Sequence, residues 1–215
     1  MKKWLALPVA LVLAAVAWLV WPRAHALPAD AALEVLPGAE SVIVHSADLG
    51  PDSLFRAATP PGVPVKPTTK VRKSRVTVGL SRTGVAGQAT LHVYLNAKVR
   101  WRLTLAGGGL EQAVDFGSGR LSAIELRAGA GRVDLALPRP EGTLPVSLTG
   151  GAGALAIHVP LAVPAKLSLD GAGSVGQLQD PAKVFSPTGW DGATDRLQIR
   201  TAGGIATVTV ATSGT

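Results

Sequence analysis

Five cations stand within ten residues, Lys66, Lys70, Arg72, Lys73 and Arg75, and Arg82 follows closely. Side chains of this type and density suit electrostatic contact with an anionic surface, either lipid headgroups or a wall polymer. The same pattern also describes a solvated edge strand, whose charges block pairing with other chains. No basic helix with interleaved aromatics accompanies the cluster, so nucleic acid is not an expected partner.

Other candidate chemistry is thinner. His25, His45, His92 and His158 do not stand in ligand-like arrangements with a second His or a carboxylate. His92 and His158 fall at outward positions of alternating stretches, which suits solvated histidines. Gly171-Ala172-Gly173-Ser174-Val175-Gly176 fits G-x-G-x-x-G, but Pro181 follows too soon for the helix a pyrophosphate requires. Gly150-Gly151-Ala152-Gly153 opens like a calcium nonapeptide, yet Ala154 and Leu155 stand where the ligating Asp is needed. Asp115, Glu125, Asp134, Glu141 and Asp170 are available carboxylates, and no spacing marks two of them as partners. Beyond the N-terminal run the aromatics are Trp101, Trp190, Tyr94, Phe55, Phe116 and Phe185, few for sugar-stacking platforms. Cysteine is absent, and neither G-x-S-x-G nor S-x-x-K occurs. The expectation is a non-enzymatic chain without cofactor or metal.

The elements that must carry these side chains follow from composition and period. The chain has 215 residues, 47% hydrophobic but only 4% aromatic, so its core is aliphatic. Net charge is +7. Lys2, Lys3 and Arg23 flank an apolar run, and leave 18 cations against 14 acids from Leu27 onward. Trp4 to Trp21 carries no charge. As a helix it would span about 27 Å at ~1.5 Å per residue, close to a bilayer core. The lysines place the remainder outside the cytoplasm. Trp4, Trp18 and Trp21 suit a retained single-pass anchor, whereas Pro22 and Ala24-His25-Ala26 suit a signal peptide cleaved after Ala26. Residues 1–26 are therefore an anchor or signal peptide.

Residues 27–70 read as an extracytoplasmic N-terminal region with a linker, because Pro60, Pro61, Pro64 and Pro67 disfavour helix and central strand. Residues 71–215 read as a β domain. Ala89 to Leu95, Trp101 to Leu105, Val133 to Leu137, Leu155 to Val159 and Ala206 to Val210 all alternate with the period of a half-buried strand. One core is expected from Leu103, Leu105, Val133, Leu135, Leu137, Leu155, Ile157, Leu167, Leu169, Leu197, Ile199, Val208 and Val210. Gly clusters separate the strands, at Gly107 to Gly109, Gly129 and Gly131, Gly150 to Gly153, and Gly203-Gly204. Repeated strand, glycine corner, strand predicts an all-β, solenoid-like stack, with a β-sandwich as the alternative.

Gly129-Ala130-Gly131-Arg132-Val133-Asp134-Leu135, Gly150 to Pro160, and Asp195 to Gly204 followed by Ala206 to Val210 together resemble the toastrack family of bacterial cell-envelope proteins. That family includes the β domains of LiaF-type cell-wall-antibiotic-response proteins. The resemblance implies a single-stranded right-handed β-helix-like core, membrane tethering, and a scaffold or sensory stress-response role. It implies no catalytic residues. The functional expectation is a membrane-tethered extracytoplasmic envelope protein, with a secreted or surface polyanion- or glycan-binding module as the alternative. Expected partners are the membrane through the N-terminal helix, an anionic lipid or wall polymer, or another envelope protein.

Overall fold

The structure, a computed structural model, describes residues 26–84, 87–169, 184–185 and 189–213. The expected N-terminal helix, the Gly171–Gly176 motif and Asp170 lie outside them. Every regular element among the described residues is a strand. No described helix is long and apolar enough to cross a membrane.

Two open sheets hold the strands. One has the spatial order β14 (Val184–Phe185), β13 (Ala165–Leu169), β15 (Arg196–Thr201), β11 (Thr143–Leu148), β9 (Arg120–Leu126), β7 (Arg100–Leu105), β1 (Asp30–Val35), β5 (Arg75–Arg82) and β4 (Val65–Arg72). The other runs β16 (Ile205–Ser213), β12 (Ala152–Pro160), β10 (Ala130–Ala136), β8 (Glu111–Asp115), β2 (Ser41–Ala47), β6 (Thr90–Asn96) and β3 (Phe55–Ala58). From β6 to β13 the chain changes sheet with each strand. Each return to a sheet therefore runs in the direction of the visit before it, and the pairs β7–β9, β9–β11, β8–β10 and β10–β12 are parallel without any helical crossover. Antiparallel pairing is confined to the flanking strands, in β3–β6, β4–β5 and β13–β14.

Alternation sends every second side chain of both sheets into one apolar cluster, aliphatic apart from Trp101 and Phe116. Twelve of the thirteen expected core residues lie in it, Leu103, Leu135 and Ile157 fully buried. Val210 does not: it is 42% exposed. It pairs with Ile157 of β12, but β16 ends its sheet, so no strand among the described residues covers its other flank.

The glycine corners set how closely the layers stack. Where the chain turns from β11 to β12, a Cβ on Gly150 would lie 2.3 Å from the Ala128 carbonyl carbon, at the corner between β9 and β10. One layer on, a Cβ on Gly203 would lie 2.5 Å from the Gly150 carbonyl carbon. Backbone meets backbone here, with Ala130 N–H donating to Gly151 O and Ala152 N–H to Gly204 O, both at 3.0 Å.

The expected boundary at residue 70 does not separate a linker from a β domain. β1 lies inside the nine-stranded sheet between β5 and β7, and β2 lies between β6 and β8. The Pro-rich stretch supplies β3 and the start of β4. Pro67 is accommodated in β4 because this edge strand has a partner on one side only. Asn96, fully buried, ties the β2–β3 loop to the fold: its Nδ2 donates to Gly50 O at 2.7 Å and Ser53 O at 2.8 Å.

Candidate functional site: a cationic face on the nine-stranded sheet

The basic cluster is the β4–β5 hairpin, at the edge of the nine-stranded sheet. Lys66, Lys70 and Arg72 share the exposed face of β4 because they are separated by even numbers of residues. Lys73 occupies the turn with φ of 54°, and Arg75 opens β5 directly opposite Arg72. None of the five makes an ion pair within the described residues. Arg82 closes β5 opposite Val65, far from the turn. The structure thus brings Arg72, Lys73 and Arg75 together, and strings Lys70 and Lys66 along the strand at ~3.4 Å per residue.

Register extends this cluster across the sheet in a way sequence order conceals. Arg75 is opposite Ala32, and Ala32 is opposite Arg102 of β7. Arg102 is opposite Ala123 of β9, where a bulge shifts the register. Pro145 of β11 is opposite Gln198 of β15, which is opposite Lys166 of β13. One row perpendicular to the strands therefore reads Arg72, Arg75, Ala32, Arg102, Ala123, Pro145, Gln198, Lys166. It contains four cations and no acid. Arg72, Arg75 and Arg102 are exposed and without ion pairs, whereas Lys166 stands 4.6 Å over the Trp190 ring.

The flanking rows differ. On one side lie Asp30, Arg100 and Arg120, with Thr143 and Arg196 further along. Their cations are engaged: Arg100 is 3.7 Å from Asp30, and Arg120 makes a bidentate pair with Glu141 at 3.0 and 2.9 Å. Arg196 donates to Thr143, Trp190 and Asp191. On the other side the row reads Lys70, Thr77, Glu34, Thr104, Glu125, Ser147 and Arg200, two acids between two cations. Arg127 holds the Glu125 carboxyl below its ordinary pKa through a hydrogen bond of 2.8 Å.

His25 lies outside the described residues; the other sheet presents His45, His92 and His158, the last two outward as expected, and none is isolated. His45 stacks on Tyr94 at 5.1 Å and on His92 at 5.8 Å between ring centroids, and Arg56 sits 4.5 Å over the Tyr94 ring. His45 Nδ1 lies 3.8 Å from Asp115, and His158 Nε2 lies 3.4 Å from Asp134. Burial, and then the neighbouring His45, lower the His92 pKa. These contacts run across strands, so no spacing along the chain could reveal them. Of the candidate carboxylates within the described residues, Asp115, Glu125, Asp134 and Glu141 each face a cation or imidazole rather than one another. Among the described residues no three His, Asp or Glu side chains gather as a metal-binding set.

Neither a family model nor a curated protein matches the chain. A solved structure does: a protein described as a putative cell adhesion protein from Clostridium sporogenes. It is 15% identical, with a TM-score of 0.65, over 86% of this chain and 93% of that one. At that identity the likeness shows a shared fold.

Proposed function

We propose that the chain is a non-enzymatic, membrane-tethered, extracytoplasmic protein of the cell envelope, acting as a scaffold or stress-response accessory. The path that alternates between two sheets is in keeping with a toastrack-type coil. The observation that carries this reading is the division of side chains. Those enclosed are almost entirely hydrocarbon, and the charged ones lie in ordered rows on two broad sheet faces. Such faces supply contact area rather than a convergent set of reacting groups. The solved neighbour, described as a putative cell adhesion protein, is in keeping with a surface role. The Lys2-Lys3 flank and the uncharged Trp4–Trp21 run support tethering with the β domain outside.

N-terminal sequencing of the protein recovered from fractionated cells tests the tether. The expected result is a membrane-fraction protein that retains the Trp4–Trp21 segment. A soluble extracellular protein that starts at Leu27 overturns it and favours the secreted module.

A further inference from the structure

We infer that the acid-free row of the nine-stranded sheet binds a linear phosphodiester polyanion laid across the strands. The inference deepens the envelope reading, which supplies the choice of an anionic wall polymer among polyanions.

The row is defined by register rather than by sequence proximity. Arg72, Arg75 and Arg102 come from β4, β5 and β7, and Lys166 from β13 at the far side. Adjacent strands are about 4.8 Å apart, so seven steps from β4 to β13 cover roughly 34 Å. The positions between the cations are neutral, and Ala32, Ala123 and Pro145 are short, so the row has a low floor beside the guanidinium groups, with Gln198 as a longer neutral side chain before Lys166. Among the described residues Arg72, Arg75 and Arg102 make no ion pair, although the Arg102 charge is felt by Glu125, whose carboxyl is held by Arg127; Arg100, Arg120 and Arg127 are each placed against an acid. A guanidinium presents paired donors that match phosphate oxygens.

The neighbouring row argues for a chain over a planar surface. Glu34 and Glu125 lie two residues along their strands from this row, about 7 Å away. A bilayer pressed on the face would bring anionic headgroups against both carboxylates. A polymer following the row avoids them. Sheet twist has the same consequence, since a rigid plane touches a twisted face over few strands whereas a flexible chain follows it.

Full-length protein titrated with synthetic poly(glycerol phosphate) tests the inference. With four cations engaged, log K should fall with log salt at a slope near −3, by the ~0.7 per phosphate of a flexible single strand. Affinity should then drop about 50-fold between 50 and 200 mM salt. Arg75→Gln with Arg102→Gln should halve the slope, leaving a drop of about sevenfold. Arg75→Lys with Arg102→Lys should restore most of it, and Arg132→Gln on the opposite sheet should change nothing. Vesicles of phosphatidylcholine, with and without phosphatidylglycerol, form the second arm. The difference between them isolates headgroup charge from insertion of the apolar segment. An unchanged slope in the Gln pair overturns the inference. So does stronger binding to the anionic vesicles than to the polymer, which would make a planar surface the partner. Absence of binding to either probe also overturns it, and leaves the N-terminal sequencing result to decide the tether independently.

Discussion

Gly150 lies in the corner between β11 and β12, and the stacking of layers depends on its having no side chain. A Cβ there would lie 2.3 Å from Ala128 C and 2.4 Å from both Ala128 O and Gly129 N. All three are backbone atoms, so no rotamer can relieve the contact. Reaching an ordinary separation of about 3.4 Å or more requires the β9–β10 and β11–β12 corners to part by roughly 1 Å. Overpacking of this kind costs about 1–3 kcal/mol. The same movement stretches the bond from Thr149 N–H to Leu126 O, now 2.9 Å, and that from Ala130 N–H to Gly151 O, now 3.0 Å. Weakening those adds about 0.5–1.5 kcal/mol. Gly150→Ala should therefore destabilise the protein by about 2–4 kcal/mol. With a urea dependence near 2 kcal/mol per molar, the midpoint falls by about 1–2 M. Gly109→Ala is the matched control, because a Cβ there meets nothing within 4 Å. Its stability should stay within about 0.5 kcal/mol of the parent or rise slightly. Combining Gly150→Ala with Gly203→Ala should cost less than the sum, since both substitutions force neighbouring layers apart. Equal midpoints for Gly150→Ala and Gly109→Ala would refute the close-stacking argument.

Leu135→Ala, in a fully buried site of β10, should cost about 2–5 kcal/mol by chemical denaturation. Asn96→Ala removes the donor to Gly50 O and Ser53 O and the acceptor for Lys98 N. It should cost about 2–3 kcal/mol and raise proteolytic nicking between residues 47 and 54. His92, flanked by His45 and Tyr94, titrates below its ordinary pKa, so folding favours the neutral imidazole. Stability should be full above about pH 6.5 and decline as pH falls from there through the folded-state pKa, and His92→Gln should flatten that limb of a Tm-against-pH curve.

Period-2 alternation was enough to place most of the core, because it reports which face of a strand a residue occupies. It fails at Val210, where alternation is intact and the neighbouring strand is missing. Alternation also says nothing about register, and both surface features depend on register. Arg72 and Arg75 are neighbours in sequence and in space, so the cluster was legible. Arg102 joins it only because β1 is inserted between β5 and β7, carrying Ala32 between two arginines. Residues 27–70, which read as an N-terminal region with a Pro-rich linker, supply strands to both sheets by the same kind of insertion. Their prolines are real breakers, yet Pro67 sits at a sheet edge where a missing N–H costs no ladder bond to a second neighbour. The His45–Asp115 and His158–Asp134 contacts were likewise hidden, each joining strands far apart along the chain.

The central claim, that the β domain stands outside the cytoplasm on a membrane tether, is tested most directly by protease treatment of intact cells carrying the protein with a C-terminal epitope. The account predicts that the epitope is lost from intact cells while an N-terminal fragment stays with the membrane, the orientation proposed from the Lys2-Lys3 flank and the Trp4–Trp21 run. An epitope that survives in intact cells and is destroyed only after lysis would contradict it.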